Sequence, residues 1–324
     1  MAVIKADAYG HGLREVAGAL LEEGCRDFAV TDAREGARLR ALLADHSSHI
    51  TLLSGIFDEE DARLAKRWAL QPAIYDIRQL DWLKRAAFRG DVWLKVDTGM
   101  NRLGAQDIED LCQQCTRQGI RVAGLMSHLA CADQPQHPMN QRQADILSAL
   151  AKRMRLPASL LNTAGLVNLP DYALDAVRPG IGLYGIEPVA GKPLGLRPVM
   201  QFGARIVHMR KVRKGESISY GASFVARRSM RVAIVAAGYA DGVPRALSNR
   251  GSVMLRGQRA PIVGRVCMDY TMIDVSAVRA ATGDMVEFWG ESLNAVEVAA
   301  AAGTIAYELF TGVGARVARE VRDG

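Results

Sequence analysis

The feature that most constrains this chain is a series of eight β-rich runs alternating with helical patterns over its first ~180 residues. Short β-rich apolar runs lie at 2–4, 27–30, 50–53, 72–75, 92–96, 122–126, 159–161 and 176–178. Amphipathic helical patterns lie between them at 12–23, 32–44, 59–68, 77–87, 107–118 and 140–153. Asp32 with Glu35 three residues on predicts a capping box for the second of these. Strands that alternate with helices build a parallel sheet, and eight such strands close a (β/α)8 TIM-type barrel. Near Tyr184 the pattern changes, with Pro188, Pro193 and Pro198 in a linker. Period-two runs follow at 199–207, 217–220, 231–236, 252–255, 260–263, 271–275 and 284–289. Arg256-Gly257-Gln258 predicts a hairpin turn, and 295–302 a helix. The expected organisation is α/β: a barrel over 1–190, then a C-terminal mostly-β domain over 191–324.

Composition narrows the class. The net charge is +6, but aromatics are only 6% and the cations form no stripe with stacking rings, so no nucleic-acid partner is expected. No apolar run reaches membrane-spanning length and no signal peptide precedes the first strand, so a cytoplasmic protein without a membrane partner is expected. Five cysteines make no disulfide framework. Cys112 and Cys115 form one C-x-x-C within a helix, with no second pair at metal-site spacing, so no metal is expected.

A barrel gathers its chemistry at the C-terminal strand ends. Lys5 ends the first run, followed by Asp7, Tyr9 and two glycines. A lysine there either snorkels to the barrel mouth or is desolvated into a nucleophilic amine able to form an imine. The fifth run carries Lys95 and leads to Arg102. The sixth ends at Ser127-His128, the seventh at Asn162-Thr163 and the eighth at Arg178-Pro-Gly180. The last two loops suit a phosphate on backbone N–H groups, or are ordinary barrel-mouth loops. With Lys5 next door, they point to a phosphorylated aldehyde cofactor. Arg178 either meets a strand-end carboxylate or keeps a pyridine nitrogen unprotonated. His128 either orients Arg178 or is a hydrogen-bonded core histidine. Tyr220, in Ser219-Tyr-Gly221, is a base if a cation such as Arg102 lowers its pKa, or a β-domain core residue. Met268-Asp269 is placed to line an entrance, or is an ordinary loop.

Several segments resemble the alanine racemases. They are Ala2-Val-Ile-Lys-Ala-Asp-Ala-Tyr-Gly-His-Gly12, Leu94-Lys-Val-Asp-Thr-Gly-Met-Asn-Arg-Leu-Gly104, Met126-Ser-His-Leu-Ala130 and Val177-Arg-Pro-Gly-Ile-Gly-Leu-Tyr-Gly185. Further on come Ser219-Tyr-Gly-Ala222, Gly238-Tyr-Ala-Asp-Gly-Val-Pro-Arg245, Pro261-Ile-Val-Gly-Arg-Val-Cys-Met-Asp269 and Gly303-Thr-Ile-Ala-Tyr-Glu308. The resemblance spans essentially the whole chain. It implies interconversion of L-alanine and D-alanine with pyridoxal 5'-phosphate, for D-alanine supply to peptidoglycan or for alanine catabolism. It implies Lys5 as the cofactor lysine and one proton-transferring base, and Tyr220, from the partner subunit of a homodimer, as the other. It implies Arg102 and the Met268 backbone on the substrate carboxylate, Arg178 at the pyridine nitrogen with His128 behind it, and Asp269 at the entrance. Tyr9, Thr163, Gly180, Ile181 and Tyr307 would hold the phosphate. Lys95 matches a position that can be carbamylated to brace Arg102. Family members carry a strand and a helix before the lysine segment, which this sequence lacks. The alternatives are a racemase of broader specificity, an N-terminally truncated inactive homologue, a fold-related decarboxylase, and a cofactor carrier that needs no second base.

Overall fold

The computed structural model describes residues 1–43, 47–189 and 191–322. It divides into two compact units. The first comprises Met1–Ala8, Gly12–Leu183 and Glu187–Leu194; the second comprises Tyr9–His11, Tyr184–Ile186 and Gly195–Gly324.

The first unit is an eight-stranded parallel sheet in sequential order. Its strands are β1 (Ala2–Val3), β2 (Asp27–Val30), β3 (His49–Leu52), β4 (Gln71–Ile74), β5 (Asp91–Lys95), β6 (Arg121–Met126), β7 (Ala158–Asn162) and β8 (Ala176–Arg178). The Met1 nitrogen donates to Val177 O at 3.1 Å and Val3 N to Pro179 O at 2.9 Å, so β1 also meets β8 and the ring nearly closes. The strands are short and apolar because each is covered on both faces. Phe28, Ile50, Leu52, Ile74, Leu94 and Leu125 have no exposed surface. Right-handed helices follow as the alternation predicts, from Leu13–Glu22 to Pro138–Met154. The strand bounds differ from the sequence expectation by at most one residue at an end.

Two details differ from expectation. The helix predicted over 32–44 runs over Ala33–Leu43, and Ala44 lies outside the described residues. Asp32 does cap it, accepting from Arg34 N at 3.0 Å and Glu35 N at 2.9 Å. Glu35 does not close a capping box. Its two oxygens accept from Thr31 N at 2.8 Å and Ala6 N at 2.7 Å. The Ala6 amide is available to it because Ala6, Asp7, Ala8 and Tyr9 all have φ of 53–54°, one left-handed turn directly after Lys5. Alanine disfavours that region by roughly 1–2 kcal/mol per residue. The turn is held by Glu35 and by Asp7, whose carboxylate accepts from Leu13 N at 3.0 Å.

The second unit is antiparallel. Its strands are β9 (Phe202–Val212), β10 (Ser217–Ile218), β11 (Phe224–Val225), β12 (Met230–Val235), β13 (Ser252–Leu255), β14 (Gln258–Pro261), β15 (Thr271–Asp274) and β16 (Met285–Trp289). Six of them form a sheet in the order β14-β13-β16-β9-β12-β15, while β10 and β11 pair separately. The predicted hairpin joins β13 to β14, with Arg256 and Gly257 both at positive φ. The strand predicted over 217–220 stops at Ile218, because Ser219 takes φ 68° and Tyr220–Ala222 form a 3-10 turn. Helix Ala295–Ala302 is present, and a second helix, Ala306–Thr311, follows it unpredicted. Among the described residues no helix is long and apolar enough to cross a membrane.

Candidate active site

Three cations and one imidazole gather at the strand ends of the first unit. Lys5 leaves β1 half-buried. Burial and then the Arg102 charge lower its pKa, while Glu35 acts in the opposite sense. Lys95, the last residue of β5, is buried and donates to Leu53 O at 2.6 Å. Its pKa falls to about 8, from burial first and then from Arg178, Arg102 and Lys5. Arg178 ends β8 and is buried, which brings its pKa down to about 10. It meets no carboxylate among the described residues. It donates to Ser159 Oγ, Ser127 O and Leu160 O (3.1 Å), and His128 Nδ1 lies 3.4 Å from it. Burial and the same cations hold His128 near a pKa of about 3, so its ring is neutral. Arg102 is exposed and makes no hydrogen bond or ion pair among the described residues.

Across the last two strands, Asn162 caps helix Thr163–Asn168 by accepting from Gly165 N at 2.9 Å. Thr163 Oγ1 accepts from Gly180 N at 2.9 Å and from Gly182 N at 3.4 Å. The Gly180 amide is therefore engaged, whereas that of Ile181, at the start of a 3-10 turn, has no partner among the described residues.

In the second unit, Tyr9 stacks on Tyr184 with centroids 4.7 Å apart and stands 5.9 Å from the Tyr307 ring. Burial and then Tyr307 raise the Tyr9 pKa, so its hydroxyl remains a donor. Gly10, the residue after Tyr9, has φ 75°, and a Cβ there would come within 1.9 Å of Phe310 O. Tyr220 is 71% exposed and is no core residue. The cation against its turn within this unit is Arg265. A Cβ on Gly221 would lie 2.9 Å from the Arg265 guanidinium, a neighbour the sequence did not signal. Met268 is exposed; its carbonyl accepts from Ala240 N at 3.0 Å and its N–H has no partner among the described residues. Asp269 is ion-paired with Arg316 at 2.8 Å. Cys112 and Cys115 lie on helix Ile108–Arg117, only Cys115 buried. No group of three or more His, Cys, Asp or Glu among the described residues could hold a metal.

Residues 1–188 match the family described as "Alanine racemase, N-terminal domain", and residues 199–321 match "Alanine racemase, C-terminal domain". This chain belongs to the alanine racemase family. It is 40% identical over 327 residues to the biosynthetic alanine racemase of Pseudomonas aeruginosa, covering 98% of this chain and 90% of the relative. It is 39% identical over 329 residues to a catabolic alanine racemase of Agrobacterium fabrum, covering 98% and 84%. The crystal structure of the P. aeruginosa biosynthetic enzyme superposes with a TM-score of 0.89 at 40% identity, over 99% of this chain and 91% of the other. That of alanine racemase from Bartonella henselae with covalently bound pyridoxal phosphate gives 0.89 at 30% identity, over 98% and 91%. An alanine racemase barrel and its antiparallel C-terminal unit thus account for the alternation and for the change of pattern after Tyr184.

Proposed function

We propose that this member of the family interconverts L- and D-alanine using pyridoxal 5'-phosphate, as a homodimer with shared active sites. The observation that carries the reading is the Lys5 amine: it lies two residues beyond β1, is half-buried, and has its pKa lowered by burial and by Arg102. A neutral lysine amine is the group that bonds to an aldehyde. The donors of the first unit suit the rest of the cofactor. Thr163 and the Ile181 amide can serve a phosphate, with the Gly180 loop shaping the turn. Arg178 offers a permanent positive charge beside neutral His128, an environment in which a pyridine nitrogen stays unprotonated. Tyr9 and Tyr307 are phosphate-directed hydroxyls in the same reading.

Pyridoxal phosphate, when bound, acidifies the Cα–H of the amino acid joined to it. The chain supplies the bases. Inversion needs proton transfer on both faces of Cα, and the reading assigns Lys5 to the face used for D-alanine and Tyr220 of the partner subunit to the other. Arg102 and the Met268 N–H, both without a partner among the described residues, take the substrate carboxylate; Asp269 lines the way in. Lys95 is read as carbamylated. With cations as the charges acting on it and a pKa of about 8, its neutral amine can add CO2 and release a proton, placing a negative charge that braces Arg102.

Purified protein mixed with pyridoxal phosphate should show the visible band of the lysine-bound cofactor and abolish the optical rotation of L-alanine. Lys5→Ala should lose both; a variant that kept the band and the activity would remove the central residue of this reading.

A further inference from the structure

Helix Pro138–Met154 turns two amides into the protein interior where apolar side chains are the norm. Asn140 is 1% exposed and Gln143 is 0% exposed. A buried amide left without partners costs about 1–3 kcal/mol. Asn140 Nδ2 donates to Cys131 O at 3.0 Å and Gln134 O at 2.9 Å. Gln143 reaches further. Its Nε2 donates to Thr98 Oγ1 at 3.0 Å and His128 O at 2.9 Å, and its Oε1 accepts from Ala130 N at 2.9 Å.

The bonds continue in one direction. Ser127 Oγ donates its only hydrogen to Val96 O at 2.9 Å. The 2.8 Å contact between Thr98 and Ser127 is therefore donated by Thr98. Thr98 in turn accepts from Gln143. Ser127 O is an acceptor for Arg178, and His128 lies beside that same guanidinium. One side chain thus ties the loop after β5, which runs from Lys95 to Arg102, to the loop after β6, which carries His128.

We infer that Gln143 is a positioning residue for Arg178, His128 and the Lys95–Arg102 loop, acting through Thr98, Ser127 and the His128 carbonyl. The inference rests on the racemase reading above. A fully connected buried network fixes geometry, whereas an apolar side chain of similar volume can fill the same space without fixing it. Supporting residues of this kind hold reacting groups to within about 0.5 Å.

The test uses holoenzyme and a matched control. Gln79 is 2% exposed and also makes three bonds: it accepts from Tyr75 N at 2.8 Å and Asp76 N at 3.1 Å and donates to Ile56 O at 3.0 Å. Gln143→Met should retain pyridoxal phosphate but shift the visible band and its pH titration. Its kcat should fall roughly ten- to hundredfold with little change in KM. Gln79→Met should lose thermal stability alone. Identical band, titration and kcat in the two variants would overturn the inference while leaving the racemase reading intact. A wild-type protein with no Lys5-dependent band would overturn that reading and this inference together. If Gln143→Met does not fold, Gln143→Glu decides. Its neutral acid can serve Ala130 and one of the two acceptors, but its ionised form repels the His128 carbonyl. The cofactor band should then follow a titration absent from the wild type, and an unchanged titration would overturn the inference.

Discussion

Glu35 accepts the amide hydrogen of Ala6 at 2.7 Å, so a carboxylate from the second barrel helix holds the residue next to Lys5. It also raises the Lys5 pKa against burial and Arg102. Glu35→Gln keeps one acceptor oxygen for two backbone donors and removes the charge. The orphaned amide should cost about 1–3 kcal/mol in denaturant unfolding. Lys5 should become neutral at lower pH, seen as an earlier midpoint for its acylation by mass spectrometry. An unmoved midpoint would show that Glu35 does not tune the amine.

Tyr220→Phe keeps the ring and deletes the proton carrier. Racemisation from L-alanine should drop about 10²–10⁴-fold. Cofactor absorbance should persist, and Lys5 should still exchange the α-deuterium of D-alanine in water, read by proton NMR. Loss of that exchange together with racemisation would contradict separate faces for the two bases.

Lys95 should take up CO2 in a pH-dependent way. Its pKa of about 8 means that the neutral amine gains population as pH rises through that value. With ¹³C-labelled bicarbonate, a carbamate resonance should grow over the same range and be missing from Lys95→Arg. A spectrum identical in both proteins would exclude the modification.

His128 predicts acid sensitivity. Its pKa is about 3 in the folded protein against an ordinary 6.5. Between those values the unfolded chain binds a proton that the folded chain does not, so stability declines as pH falls through that interval. His128→Asn should flatten this part of the curve, measured as urea midpoints from about pH 7 to about pH 4. An equally steep decline in the variant would assign the sensitivity to other groups.

Much of the barrel was legible because burial on both faces leaves uninterrupted apolar runs such as Phe28–Val30, and β5, β7 and β8 end on the polar residues Lys95, Asn162 and Arg178. The strand-end residues followed from the fold's own geometry. What escaped notice depends on context rather than composition. Ala6 and Ala8 are good helix formers, and nothing in their side chains announces a left-handed turn; the turn is imposed by Glu35 and Asp7. Glu35 has the spacing of a capping box, but the amides of Thr31 and of Ala6, 29 residues back, claim its carboxylate. Gln143 read as an ordinary polar residue of an amphipathic helix, since its partners lie in two distant loops. Arg265 sits one of many arginines in the second half, and only the close approach of Gly221 singles it out. Helix Ala306–Thr311 spans six residues, too few for a periodic signal.

The second unit takes Tyr9–His11 from near the beginning of the chain. Arg319 donates two hydrogen bonds to Gly10 O, across 309 positions of sequence. During synthesis the three early residues emerge long before their partners exist, and must wait for nearly the whole polypeptide. Such distant pairing slows folding and lengthens exposure of unfinished surface. It also means that a gene fragment beginning at residue 195 encodes a unit without the Tyr9 and His11 rings that pack beside Tyr307 and Phe310. No single cut in the coding sequence yields the second unit whole.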